Sequence, residues 1–309
     1  MGRLFDGYWQ SLKPREVEEP IDVWVHRPIA FLIARLLLPT RVSPNAVTSV
    51  SIVLGLAALL AMLSQMQGHM ALAGLCIFFS AVADCADGQL ARMRGTSSAL
   101  GRMLDGVADF IVTIVVVGGG TFVVLRDHSH SVFEFAGFAG TIIITAVTGS
   151  FHTASYDHYK NVYLRLTHPK YGEAEDLDSA YARYGRGGDR PLWMRISWKI
   201  YLFYLRSQTN YIRTVDPHTS TQLSRLPAYD PASAAIYATY NGSLMRLWRY
   251  WFGFGSLTFG FAIATALDCL DVYVILRGTL LNCLYFGWML PQQRLASERS
   301  FAELGLQRP

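Results

Sequence analysis

Residues Ala46 to Leu63 read AVTSVSIVLGLAALLAML, a run of 18 positions without one charge. A bilayer's hydrocarbon core takes roughly 17 to 25 mostly apolar helical residues to cross. Inside it each backbone N–H and C=O must find its partner within the segment, so the run commits this part of the chain to a membrane helix. Five further stretches repeat the signal: MALAGLCIFFSAVADCADG from Met70, LDGVADFIVTIVVVGGGTFVVL from Leu104, VFEFAGFAGTIIITAVTGSF from Val132, YWFGFGSLTFGFAIATAL from Tyr250 and VYVILRGTLLNCLYFGWML from Val272. The chain is 51% hydrophobic and 16% charged, too apolar for an ordinary soluble domain and too polar to be membrane throughout. The expected fold is an all-α integral membrane protein of six transmembrane helices.

Basic residues set the expected orientation. Arg3, Lys13, Arg15, Arg27, Arg35 and Arg41 precede the first span, and Arg92, Arg94 and Arg102 lie between the second and third. The stretch from Lys160 to Arg249 is dense in Lys and Arg, while the opposite side offers little beyond Arg126. The positive-inside rule then puts both termini and the second-to-third link in the cytoplasm, in the plasma or inner membrane if the protein is bacterial. The first 20 residues lack the apolar core of a cleaved signal peptide. RPIAFLIARLLLP, Arg27 to Pro39, is too short to span and is expected to lie along the interface as an amphipathic helix. The expected organisation is residues 1–45, cytoplasmic segment and interfacial helix; 46–160, spans one to four; 161–244, a cytoplasmic insert; and 245–309, spans five and six with a cytoplasmic tail. Within the insert, WMRISWKIYLFYLR gathers Arg195, Lys199 and Arg206 on one side of a helix and Trp193, Ile196, Ile200 and Phe203 on another. That pattern suits either packing on the protein or a helix attracted to anionic lipid. The pI near 8.9 suits basic cytoplasmic loops better than a nucleic-acid binder. Cys76, Cys85, Cys269 and Cys283 form no CxxC pair and read as small hydrophobes.

Against this apolar background stand four aspartates, in ADCADGQLARMRGTSSALGRMLDGVAD. An ionised carboxylate beside a membrane or a core is costly unless something pairs with it. Asp84 and Asp87 are three apart, Asp105 and Asp109 four apart, so each pair shares one helix face. The two helices are sequence neighbours and antiparallel, which lets the pairs face each other. Four carboxylates at one place repel, and divalent cations with oxygen ligands (magnesium, manganese or calcium) offset this economically. Carboxylates at a helix end in cytoplasmic water are the plainer alternative, but they leave Gly88, Ala91, Arg92 and Gly101 unexplained. Small residues let a ligand approach the backbone, and an arginine beside a metal suits a phosphate.

Written as D-x2-D-G-x2-A-R-x8-G-x3-D-x3-D, the stretch resembles the signature of the CDP-alcohol phosphotransferase family without a mismatch. SPNAVT at the start of span one, the interfacial helix and the six-span layout also fit; the first 20 residues and residues 161–244 lie outside the resemblance. The resemblance implies attack by an alcohol on a CDP-alcohol, with release of CMP and formation of a new phosphodiester. It implies that Asp84, Asp87 and Asp105 hold two divalent ions, Mg2+ or Mn2+, and that Asp109 shares a metal and acts as general base. Gly88, Ala91, Arg92 and Gly101 would line the CDP pocket, Pro44, Asn45 and Thr48 would stand near the nucleotide, and Thr96 and Ser98 would contact cytosine. It also implies a homodimer in a membrane, with a CDP-alcohol and a lipid among the substrates, and no nucleic acid.

Two donor arrangements stay open: CDP-diacylglycerol giving to a small polar alcohol, taken first as the commoner case, or a small CDP-alcohol giving to a lipid alcohol. A membrane prenyltransferase is a rival, though its aspartate motifs usually lie far apart. A cation transporter is another, though its carboxylates belong at mid-bilayer. His152, Ser155 and Lys160, after span four, are candidates for an acceptor pocket or an ordinary polar helix end. Arg277 interrupts the last span and is expected to snorkel or to pair with Asp271. GGG at 118–120 points to close helix packing, and NGS at 241 matches a glycosylation acceptor on the wrong side of the membrane.

Overall fold

The computed structural model describes residues 7–9, 11–96, 99–128, 130–169, 177–185, 191–219, 226–227 and 229–306. Among the described residues every regular element is helical. A π-helical turn, Asp22–His26, leads into α1, Arg27–Leu37; then follow α2, Pro44–Leu63; α3, His69–Met93; α4, Ala99–His128; α5, Val132–Thr167; α6, Leu177–Gly185; α7, Leu192–Val215; α8, Pro231–Trp251; α9, Phe254–Ala266; and α10, Leu270–Glu303. Five of these are long and apolar enough to cross a membrane: α2, α3, α4 from Leu104, α5 and α10. The expected fifth span is divided. Helix α8 ends at Trp251, Gly253 and Gly255 flank the break, and α9 keeps 13 residues. At 1.5 Å per residue that is about 20 Å, short of the roughly 30 Å of hydrocarbon.

The chain forms two compact units, Met1–Val147 with Phe254–Thr279, and Thr148–Gly253 with Leu280–Pro309. In the first, Pro28 opens α1 where its missing N–H costs nothing. Helix α1 buries Ala30, Phe31 and Ala34 and leaves Leu32 and Leu36 exposed. Ser43 caps α2, its Oγ accepting from the Ala46 N–H at 3.2 Å. Small residues set how closely the helices approach. A Cβ on Gly74 would meet the Ala262 carbonyl oxygen at 2.6 Å, so α3 and α9 touch at backbone distance. Gly119 and Gly120 leave the same kind of space, for Met62 at 2.7 Å and Phe261 at 2.6 Å, which is the close packing that GGG suggested. Met62, Ile77, Val116, Phe261 and Val274 then fill the core between α2, α3, α4, α9 and α10.

Arg277 departs from expectation. It is buried and donates to the Tyr273 hydroxyl at 3.3 Å, while Asp271 lies 3.6 Å from His128. One turn of helix separates Arg277 from Tyr273, so the guanidinium reaches a neutral oxygen on its own face. Cys76, Cys85 and Cys269 are half-buried, as small hydrophobes in helices should be, but Cys283 is exposed; none of the four is in a disulfide.

The second unit is organised around buried aromatic rings and one polar chain. Trp248 Nε1 donates to Gln293 at 2.8 Å, and Gln293 Nε2 donates to Asn241 at 2.8 Å. Asn241 Nδ2 donates in turn to Ser300 at 3.2 Å, so the asparagine of the NGS triplet is inside the unit and closed to a glycan. Ser297 and Tyr159 donate to Asp216 at 2.6 and 3.2 Å.

Candidate active site

Helix α3 carries Asp84, Asp87, Gly88, Ala91 and Arg92, and α4 carries Gly101, Asp105 and Asp109. Gly95, at φ +65°, sits in the turn between them, where only a glycine takes the left-handed backbone freely. The turn reverses the chain so that both aspartate pairs stand at the same end of the hairpin. Asp84, Asp87 and Asp105 each present a carboxylate oxygen within 4.8 Å of the others. Asp109 is outside this triplet; it is hydrogen-bonded with Asp84, which also bonds with Asp105.

Neutral donors and two cations act on these charges. Thr48, on the first turns of α2, donates its hydroxyl to Asp87, and the Gly88 N–H donates to the same carboxylate. Arg92 acts electrostatically on Asp87 and on Asp105, and Lys13 acts on Asp105. Arg92 is anchored by its Nε donating to the Ser11 carbonyl at 3.1 Å. Gly88 leaves its guanidinium room, since a Cβ there would lie 3.4 Å from Arg92 Nη1. One oxygen of Asp105 is buried with no hydrogen-bond partner. Three converging carboxylates with an orphaned buried oxygen are the donor set of a hard, oxygen-seeking divalent cation, so these residues fit the metal that the motif implies.

Ala91 and Gly101 are half-buried on the same hairpin; Thr96 and Asn45 are exposed, and Ser98 lies outside the described residues. The Thr96 hydroxyl donates to the Ala91 carbonyl at 3.4 Å. His152, Ser155 and Lys160 belong to the second unit. There His152 packs its ring against Phe252 and Tyr285, with centroids 5.0 and 4.4 Å away. Ser155 bonds the Tyr285 hydroxyl at 2.6 Å, and Lys160 pairs with Asp157.

Sequence reasoning missed two contributions. Arg94 donates to the carbonyls of Leu37 at 2.7 Å, Thr40 at 2.9 Å and Val42 at 2.5 Å, pinning the link that delivers Thr48 to Asp87. A cation at the α1 C-terminus is also favourable there. The second is the N-terminal segment, which supplies Ser11 to Arg92 and Lys13 to the surroundings of Asp105. Its Glu19 caps α9, accepting from the Gly255 and Ser256 N–H groups at 3.2 and 2.8 Å. The i, i+4 pair Asp22 and His26 was the available signal, but such a spacing is too common to single out.

Residues 41–163 match the sequence model of the CDP-alcohol phosphatidyltransferase family. The match takes in α2, α3, α4 and most of α5, and with them all four aspartates, Thr48 and Arg94. No curated protein matches the chain. The hairpin with its carboxylate triplet thus lies inside the stretch that matches the CDP-alcohol phosphatidyltransferase family, a family of transferases.

Proposed function

We propose that the protein transfers a substituted phosphate from a CDP-alcohol to an acceptor alcohol with release of CMP, in phospholipid synthesis, using the carboxylate triplet as its metal centre. The convergence of Asp84, Asp87 and Asp105 within 4.8 Å carries this reading. Asp84, Asp87 and Asp105 would hold Mg2+ or Mn2+, two ions in all, with Asp109 available as a further ligand. A divalent cation bound there supplies charge neutralisation and polarisation of the pyrophosphate. The chain's own residues do the rest. Arg92, held by Ser11, meets phosphate oxygens; Gly88, Ala91 and Gly101 leave the hairpin open to the donor; Asn45, Thr48, Thr96 and Ser98 border the nucleotide. Asp109 takes the proton of the acceptor hydroxyl as its oxygen bonds to the phosphorus bearing the donor's alcohol; the bond to CMP breaks, and CMP leaves with the electron pair.

The six-span layout, the cytoplasmic position of the termini, site and 161–244 insert, and a homodimer complete the proposal. The clustering of Arg and Lys supports the orientation. Exposed Leu192, Trp193, Ile196 and Phe203 on α7, beside Arg195 and Lys199, support contact of the insert with an anionic membrane surface. The test is CMP release by the purified full-length protein from CDP-diacylglycerol and from CDP-choline, each with a panel of alcohols. Release that needs Mg2+ or Mn2+ and stops with chelator is expected. No release from either donor with any acceptor would overturn the reading.

A further inference from the structure

Beside the triplet, within the first unit, lies a cavity of about 120 Å³ that Asp84 and Asp109 both line. Its far wall comes from the N-terminal segment. The π-helical turn brings Asp22 and His26 to it, with His26 Nδ1 2.9 Å from Asp22 Oδ1. His26 is 1% exposed, held between the rings of Phe78 and Phe259 at 5.5 and 5.6 Å, and its Nε2 has no hydrogen-bond partner among the described residues. With Nδ1 engaged by Asp22, Nε2 is the ring nitrogen left without a partner among the described residues. A buried polar atom without a partner is costly, and a ligand hydroxyl, which both donates and accepts, supplies one.

The rest of the lining states which alcohol belongs there. Its charged residues are Glu19, Asp22, Asp84 and Asp109, with no Lys or Arg among the described residues that form it. Away from the aspartates the wall turns apolar, with Ile77, Val112, Val116 and Phe261. The metal of the proposed function would neutralise Asp84 and Asp109, but Glu19 and Asp22 lie outside it, and a phosphorylated alcohol would bring its negative charge against these two carboxylates with no Lys or Arg in the described lining. An uncharged alcohol with an apolar body avoids that repulsion. We infer that this cavity holds the acceptor, that the acceptor is an uncharged lipid alcohol, and that His26, oriented by Asp22, binds its hydroxyl. The inference rests on the transferase reading above, and it turns the donor assignment from CDP-diacylglycerol to a small, water-soluble CDP-alcohol.

Gly255 is part of the same device. A Cβ there would meet Asp22 Oδ1 at 2.3 Å, so Gly255→Ala displaces the carboxylate that orients His26 without touching the aspartates of α3 and α4.

The test uses full-length protein in nanodiscs with two probes, dioctanoylglycerol and glycerol 3-phosphate. Binding of radiolabelled dioctanoylglycerol is measured without donor, and CMP release with CDP-choline or CDP-diacylglycerol. Saturable dioctanoylglycerol binding that glycerol 3-phosphate does not displace is expected. His26→Leu should raise its dissociation constant roughly tenfold, the worth of one buried hydrogen bond. His26→Gln, which keeps a polar end, should raise it less, and Gly255→Ala should fall between. Donor affinity should stay unchanged in all three, which also shows that they are folded. Displacement of the lipid by glycerol 3-phosphate, a decision that needs no variant, overturns the inference. So does wild-type lipid binding by folded His26→Leu. CMP release that proceeds with glycerol 3-phosphate but not with dioctanoylglycerol sinks the inference and leaves the transferase standing. Lipid binding with no CMP release from any donor sinks the transferase reading instead.

Discussion

Asp216 in the second unit and Asp87 in the first are both closed off from solvent, at 0% and 4% exposure. Around Asp216 the chain supplies a full set of donors: Ser297 at 2.6 Å, Tyr159 at 3.2 Å and the His218 N–H at 3.2 Å. Among the described residues, the groups acting on Asp216 include no other carboxylate. Asp87 receives Thr48 and the Gly88 N–H, and shares its surroundings with Asp84 and Asp105. One carboxylate is solvated by the fold and ties α5, α10 and the end of α7 together. The others are crowded, and what they lack is positive charge. Burial alone does not mark a site; burial of like charges, short of cations, does.

The largest expected effect separates the two settings directly. Asp84→Asn should reduce CMP release by about 10³-fold or more, since it removes a ligand from the metal centre. In metal-free buffer with chelator the same variant should melt higher than the wild type, because one of several crowded charges is gone. Asp216→Ala should melt lower by the worth of stranded buried donors, about 1–3 kcal/mol. If both variants shifted the melting temperature in the same direction, the contrast would collapse.

Asp109→Asn comes next. It keeps the shape and removes basicity, so single-turnover transfer should slow by roughly 10²- to 10⁴-fold while donor affinity changes much less. Loss of donor affinity with unaltered chemistry at saturation would make Asp109 a ligand only, and the base would lie elsewhere.

Thr48→Val tests the hydroxyl that orients Asp87. Partners one step behind a metal ligand typically carry 10–100-fold in metal affinity. The Mg2+ concentration for half-maximal activity should rise by about that factor, with turnover at saturating Mg2+ little changed. An unchanged Mg2+ requirement would remove Thr48 from the account.

The smallest effect concerns pH. Burial pushes the Asp216 carboxyl above the usual carboxylate range, and the donors from Ser297, Thr219 and Tyr159 pull against it. A raised folded-state value means that the group's contribution to stability is full below the unfolded value of about 3.9 and is lost as pH rises through the raised one. Asp216→Asn does not titrate. The wild type should therefore lose ground to this variant in melting temperature as pH rises above about 4. A flat difference, or the opposite slope, would contradict the account.

Much of the first unit was legible in the sequence because its signals are strong and local. The uncharged run at 46–63 became α2, the three- and four-residue spacings put the aspartates on facing helices, and Gly119 and Gly120 sit where another residue would collide. The expected fifth span was misread in length. Hydropathy sums across Gly253 and Gly255, whereas a helix can end there when a distant carboxylate, Glu19, caps the next one. Glu19, Asp22 and His26 were out of reach for the same reason: their part depends on contacts more than 50 residues along the chain, and no short motif announces it. Arg277 found Tyr273 in place of Asp271 because a partner one helical turn away needs no unwinding of the helix.

Titration of Mn2+ into the purified full-length protein, followed by the electron paramagnetic resonance of free Mn2+, tests the central claim most directly. The carboxylate triplet should remove Mn2+ from solution saturably, Mg2+ should release it, and Asp84→Asn and Asp105→Asn should each abolish the high-affinity step. Binding in those variants equal to the wild type, or no saturable binding by the wild type, would contradict the metal centre and the transfer chemistry built on it.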